Sequence, residues 1–349
     1  MCRSWFILLA ILAGIGNVRA ETLSISASAP RSRIETALIG SARYVYLDGP
    51  IDSDAAKRFE AFVDGNDIPY TSVVVLNSPG GSLIAGIELG RAIRKRGYST
   101  DVGRRTKSEG RDSYEPALCM SACTMAFIGG RFRYMSDRSR LGVHRFYSTE
   151  KSDNASDVAQ MMSALVVAFI KDMEVDTAMF TLSTQAGRDE MFEPGRDVMK
   201  RLKIINDGYT EPKWTIEGVD GLIYLKGERD TVHGINKFII YCKPNSAPLL
   251  HVIIDPQGRN DEIMRLPAHS IFVDGRSYPI QPATKKISNN WFNGIYVLSR
   301  DQIAAMYRSK SVGLIIRPAY DSPMFLGFDY LPINTQDQRT KSYLSNCQR

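Results

Sequence analysis

Between residues 44 and 207, short apolar runs alternate with segments whose apolar residues return every three or four positions. The runs Tyr44-Val45-Tyr46-Leu47, Val73-Val74-Val75-Leu76 and Leu141-Gly142-Val143 read as strands. The intervening periodicity reads as helix, so this half of the chain belongs to the α/β class. One helix is predicted over residues 53–63, and a second follows Gly81 with Leu83, Ile87, Gly90 and Ile93 on one face. A third is predicted over 157–180, where Val158, Met161, Met162, Leu165 and Phe169 form a stripe that reads as packing rather than a cofactor site. Residues 104–116 are polar and charged, and read as a surface loop.

After residue 210 the pattern changes. Gly221-Leu222-Ile223-Tyr224-Leu225, Phe238-Ile239-Ile240-Tyr241, Leu250-His251-Val252-Ile253-Ile254 and Gly313-Leu314-Ile315-Ile316 are separated by Gly, Pro, Asn and Asp. Residues 211–349 therefore read as a mainly β domain of unknown role, sandwich or barrel, with one helical stretch over 299–308. The full expectation is an α/β domain over 44–210 followed by this β domain, preceded by an N-terminal segment over 21–43.

Residues 1–20 carry Arg3, an apolar run too short to span a bilayer, and Val18-Arg19-Ala20 before Glu21. This predicts a signal peptide, and with it a periplasmic or secreted protein that keeps no stable membrane anchor after cleavage. Cleavage would remove Cys2 and leave Cys119, Cys123, Cys242 and Cys347 for an oxidising compartment. Four cysteines allow three pairings, and their segregation along the chain makes Cys119–Cys123 and Cys242–Cys347 the simplest. A zinc site is the weaker alternative: no CxxC occurs, and His233, His251 and His269 lack ligand spacing, so no metal is expected. The net charge of +6 is mild and no basic block interleaves with aromatics, which argues against a nucleic-acid partner.

Three pieces of the first domain carry chemistry. Leu76-Asn77-Ser78-Pro79-Gly80-Gly81 joins a strand to a helix, and its glycines can point an N–H into a cleft. Taken alone it is also an ordinary turn. Cys119-Met120-Ser121-Ala122-Cys123 surrounds a serine at the start of a helical run. Ser121 reads either as a nucleophile with the free N–H of the next residue beside it, or as a helix cap. His144, at the end of a strand-like run, is the only histidine of this domain, so a general base for Ser121 would have to be this one.

In order and spacing, these pieces resemble the Clp protease proteolytic subunit and its relatives in the crotonase-like superfamily, over residues 44–207. The resemblance rests on Tyr46-Leu47-Asp48-Gly49-Pro50-Ile51, Asn77-Ser78-Pro79-Gly80-Gly81 with Ala85-Gly86, Ser121 before Met125-Ala126-Phe127, and His144. With the signal-like start and Cys-x-Ser-x-Cys, the chain is similar to the periplasmic Clp-protease-like proteins of bacteria.

The resemblance implies that Ser121 attacks a carbonyl, that His144 takes its proton, and that the N–H groups of Gly81 and Ala122 bind the oxyanion. It places the third carboxylate at Asp189, in Arg188-Asp189-Glu190-Met191-Phe192, with Glu190 and Asp197 as alternatives. It further implies a peptide or unfolded-protein substrate, no cofactor, and a homo-oligomer built on residues 157–180, unless the β domain covers that surface. The function expected is an exported serine peptidase. The alternative is a catalytically silent scaffold or binding protein that keeps the fold.

Overall fold

The structure is a computed structural model and describes residues 22–32, 41–108, 111–146, 155–187, 189–243, 246–334 and 337–347. The expected signal peptide, and Arg188 beside the expected third carboxylate, lie outside the described residues. The chain forms two compact units, one built from residues up to Ile204 and the other from Ile205 onward together with Phe132–Tyr134.

The first unit is α/β. Strands β1 (Ser24–Ala27), β2 (Tyr44–Asp48), β3 (Val73–Asn77), β4 (Ser99–Ser108) and β5 (Arg111–Pro116) form one sheet in that order. β2, β3 and β4 are parallel, and β1 and β5 close the edges antiparallel. Val74, Val75 and Leu76 are all buried, because a parallel strand between helical layers has no solvent face. Helix Ala55–Gly65 buries Ala55, Ala56, Phe59 and Val63. Helix Leu83–Lys95 starts on Ser82, whose hydroxyl accepts from the Ala85 N–H, and buries Ile87, Gly90 and Ile93 of the expected face, with Leu83 half-buried.

Two expectations for this unit are corrected. Residues 104–108 and 111–116 are not a loop but strand, most of β4 and all of β5, joined by an antiparallel backbone ladder. Their side chains include cross-strand ion pairs, Arg104 with Glu115 and Arg105 with Asp112, and so show no hydrophobic alternation. The helix expected over 157–180 is two helices, Ala155–Asp172 and Ala178–Ser183, interrupted where Glu174 takes φ +57°. Its buried side is Val166, Phe169 and Ile170. Val158 and Met161, assigned to the packed stripe, are 45% and 72% exposed.

A short parallel pair, β6 (Leu118–Met120) and β7 (Arg140–Gly142), carries the two segments of chemical interest. Helix Ala122–Ile128 leaves β6 directly and lies against helix Leu83–Lys95 at backbone contact. A Cβ on Gly86 would come 2.4 Å from the Ala122 carbonyl oxygen, and one on Gly90 2.5 Å from that of Met125. These two glycines bring the starts of both helices together, which is what places the site.

The second unit is mainly β. One sheet runs in the order β14 (Pro282–Ser288), β15 (Trp291–Val297), β11 (Leu249–Ile254), β10 (Gly234–Tyr241), β9 (Leu222–Thr231), β8 (Lys213–Val219). The other runs β13 (Arg276–Ile280), β12 (Ala268–Val273), β16 (Ser311–Arg317), β17 (Leu326–Pro332). Both are antiparallel, and both feed one core that includes Phe238, Ile240, Val252, Ile271, Phe292, Tyr296, Leu314 and Ile316. Helix Arg300–Tyr307 begins with a Ser299–Gln302 capping box. Helices Asn260–Arg265 and Gln338–Asn346, which the sequence pattern did not indicate, complete the unit. The C-terminal helix ends at Cys347, bridged to Cys242 just after β10, with 5.2 Å between Cα atoms.

Candidate active site

Ser121 occupies the single residue between β6 and helix Ala122–Ile128, with φ +55° and ψ −124°. A side chain there is held in a region that favours glycine, at a cost of about 1–3 kcal/mol. Such strain on a strand-to-helix turn pushes the serine side chain out of the surrounding packing, where a reagent can reach it. Ser121 Oγ makes no cap hydrogen bond to its helix. It lies 2.7 Å from Nε2 of His144. With the imidazole proton on Nδ1, the hydroxyl donates to Nε2, which is the arrangement a general base requires. The cap alternative for Ser121 therefore loses its hydrogen bond to the imidazole.

The two residues are brought together by backbone, not by chance of side-chain reach. β6 and β7 are parallel with Met120 opposite Gly142, and the Ser121 N–H donates to the Gly142 carbonyl at 2.9 Å. His144 follows two residues later, half-buried. On the other side Ser78 bridges to Cys119, with Ser78 N–H donating to Leu118 O and Met120 N–H to Ser78 O. That pairing carries Pro79-Gly80-Gly81 alongside the serine.

Gly80 and Gly81 have φ +105° and +142°, and neither position has room for a side chain. A Cβ on Gly80 would meet Met120 O at 2.7 Å and Ser121 Cβ at 2.8 Å, and one on Gly81 would meet Ile51 O at 2.2 Å. The Ile51 N–H donates to Gly80 O and the Ser82 N–H to Ile51 O, which fixes the loop. Among the described residues, the N–H groups of Gly81 and Ala122 donate to no protein acceptor. Both residues line the same cavity as Ser121 and His144.

That cavity holds about 450 Å³. Its walls beyond the reacting groups include Leu83, Met125, Phe146, Val166, Ser183 and Met191. Except for Met125, these residues drew no attention as site residues in the sequence. They come from five separate elements, and only the folded packing makes them neighbours.

Asp189 is exposed, and neither it nor Glu190 or Asp197 makes a hydrogen bond or ion pair to His144 among the described residues. Glu190 instead accepts weakly from the Gly187 N–H at 3.5 Å. The segment that carries Asp189 is nonetheless pinned beside the histidine. Val143 and Phe192 exchange two backbone hydrogen bonds of 2.9 Å, and the Arg145 N–H donates to Ala186 O at 3.2 Å.

Cys119 and Cys123 are bridged across the serine, Cα atoms 5.2 Å apart, with both residues fully buried. The bridge leaves the Ala122 N–H free and the Ser121–His144 contact intact, so it does not spoil the helix start. In the second unit, His269 bonds Tyr296 Oη at 2.8 Å in the core and His251 bonds Asn293 at 3.0 Å, and Phe292 and Tyr296 are core residues. Among the described residues no group of His, Cys, Asp and Glu is placed to hold a metal ion, and no helix is long and apolar enough to cross a membrane.

No family model and no curated protein sequence matches the chain. Among solved structures, the chain is similar to a serine-to-alanine mutant of the 1510-N membrane-bound stomatin-specific protease, at 16% identity over 46% of this chain and 75% of that one, with a TM-score of 0.34. It is also similar to a lysine-to-alanine mutant of that protease in complex with a substrate peptide, at 18% identity over 46% and 71% of the two chains, TM-score 0.33. A third likeness is to an asparagine-to-aspartate mutant of ClpP1 from Listeria monocytogenes, at 14% identity over 50% of this chain and 94% of that one, TM-score 0.36.

Proposed function

We propose that this chain is a serine peptidase that cleaves amide bonds through an acyl-enzyme on Ser121. The observation that carries the reading is the 2.7 Å contact between Ser121 Oγ, on its strained turn, and His144 Nε2, beside two unpaired N–H groups. His144 takes the hydroxyl proton as Oγ attacks the carbonyl carbon. The Gly81 and Ala122 N–H groups receive the negative charge that develops on the carbonyl oxygen. His144 then gives the proton to the leaving amine, and water reverses the sequence to release the acid. The apolar walls of the cavity favour a peptide or unfolded chain as substrate.

Asp189 enters the proposal as the carboxylate that orients His144, carried by a turn anchored at both ends beside it. Its exposed position, with no hydrogen bond to His144 among the described residues, favours the silent-scaffold alternative. Export to an oxidising compartment belongs to the same proposal, supported by the two disulfides.

Hydrolysis of an unfolded polypeptide such as reduced, alkylated casein tests the reading. The wild-type protein should cleave it, Ser121→Ala should not, and Asp189→Asn should fall between. Equal cleavage by wild type and Ser121→Ala, or none by either, would reject it.

A further inference from the structure

Helix Ala122–Ile128, like the helices that follow Asp54, Thr177, Gly195 and Arg259, starts without a side-chain cap hydrogen bond. Ser82, Ser299 and Asp337 each accept a hydrogen bond from a backbone N–H of the helix they precede. Ser121 stands at the equivalent position and makes no such bond, because its hydroxyl is directed to His144. The same residue holds a backbone conformation that disfavours any side chain. The Thr124 N–H and hydroxyl both donate to the Ser121 carbonyl, so the backbone of Ser121 holds the first turn while its hydroxyl is left to the histidine.

The Cys119–Cys123 bridge closes a ring around Met120, Ser121 and Ala122. Cys119 sits in β6, opposite Leu141 of the strand that leads to His144 and bridged to Ser78 of the strand that leads to Gly80 and Gly81. Cys123 is the second residue of the helix whose first N–H is the proposed oxyanion donor. The disulfide therefore ties the helix start to the strand from which both other parts of the site are hung. Both cysteines are fully buried, so a thiol cannot reach the bridge without local opening. This is the placement of a permanent brace rather than of a redox switch.

We propose that Cys119 and Cys123 are positioning residues for the nucleophile: their bridge ties the helix start to β6 and holds Ser121 in its reactive conformation. The proposal rests on Ser121 being the nucleophile. It predicts that the bridge sets the rate of reaction at Ser121 more than it sets ligand affinity or the stability of the unit. A disulfide closing so short a ring restricts the unfolded chain far less than one closing a long loop.

The test uses a fluorophosphonate probe, in which the Ser121 Oγ–P bond forms as the P–F bond breaks, fluoride leaves and His144 accepts the serine proton. Labelling is measured against probe concentration for wild type, Cys119→Ala/Cys123→Ala and Cys242→Ala/Cys347→Ala, with circular dichroism of each. The expected result for Cys119→Ala/Cys123→Ala is at least a tenfold fall in the maximal labelling rate, with the half-saturating probe concentration within twofold and the far-ultraviolet spectrum preserved. Cys242→Ala/Cys347→Ala should label at the wild-type rate. Unchanged labelling of Cys119→Ala/Cys123→Ala would overturn the proposal.

If Cys119→Ala/Cys123→Ala does not fold, the Cys242→Ala/Cys347→Ala protein is treated with dithiothreitol, whose two thiols become a cyclic disulfide as the bridge becomes two thiols. Labelling should then fall in step with reduction of the bridge, which is followed by alkylating Cys119 and Cys123 in parallel aliquots, and return when the unalkylated protein is reoxidised. Labelling unaffected by complete reduction would overturn the proposal. A wild-type protein that never labels would instead reject Ser121 as nucleophile and take this inference with it, a result distinct from equal labelling of all three proteins.

Discussion

Ser121 concentrates the local conflict in this chain, since its hydrogen-bonding group serves a distant histidine and its backbone sits where glycine would be more comfortable. The conflict has a measurable sign. Ser121→Gly should raise the unfolding free energy by about 1 kcal/mol, against the usual cost of adding a glycine, because it relieves a positive φ. Ser121→Ala should give no such gain, since alanine keeps the Cβ. Denaturant unfolding of the three proteins side by side checks the order, and a glycine variant less stable than wild type would contradict it.

At the same scale, His269 is fully buried against Tyr296. Burial, with Lys285 nearby, pushes its imidazole from 6.5 down to about 4. The unfolded chain takes up a proton near pH 6.5 that the folded chain refuses until about 4, so stability is full above that window and falls through it. Between pH 7 and 5 the loss is about 2 kcal/mol. Trp214 and Trp291 both lie in this unit and report its unfolding. His269→Gln should flatten the dependence, and an equal slope in both proteins would contradict the account.

Among the elements, the loop 79–81 shows how tightly the site is built into backbone. Gly81→Ala would place a Cβ at 2.2 Å from Ile51 O in a φ of +142°. It should cost on the order of 2–3 kcal/mol and lower the labelling rate at Ser121 at least tenfold. Gly65→Ala, at an exposed helix end with open space around it, should instead gain up to about 1 kcal/mol. Thermal melts with labelling assays separate the two, and equal behaviour would contradict the geometry.

The same elements show what a sequence makes legible. The glycine pair, Ser121 and His144 stand out because each belongs to a short local pattern, and the structure brings Ser121 and His144 into contact beside the glycines. Strands β4 and β5 were hidden because their side chains form charge pairs and show no apolar alternation. The break at Glu174 was hidden because apolar periodicity runs across it into the next helix. Helix Gln338–Asn346 escaped notice because its buried residues are only Thr340 and Leu344, too few to make a stripe. The cavity walls could not be seen at all, since contact between Met125, Phe146, Val166 and Met191 exists only after packing.

For the molecule as a whole, helix Ala155–Asp172 leaves Val158 and Met161 exposed on a surface that also bears Ala164 and Ala168. Apolar side chains so arranged are costly in water and suit contact with a second copy. Light scattering on the protein without residues 1–20 should give a mass of several chains, and Met161→Lys should lower it. A single-chain mass across micromolar concentrations would contradict self-association through this helix. The same helix turns Val166 to the cavity that holds Ser121 and His144, while the Cys242–Cys347 bridge lies in the second unit.

Everything proposed for the activity depends on Ser121 being a nucleophile at neutral pH. Mass-spectrometric mapping of the fluorophosphonate adduct on the wild-type protein tests this most directly. The account predicts one adduct, on the peptide containing Ser121, absent from Ser121→Ala and strongly reduced in His144→Ala. A folded wild-type protein that carries no adduct at Ser121, or carries it equally without His144, would contradict it.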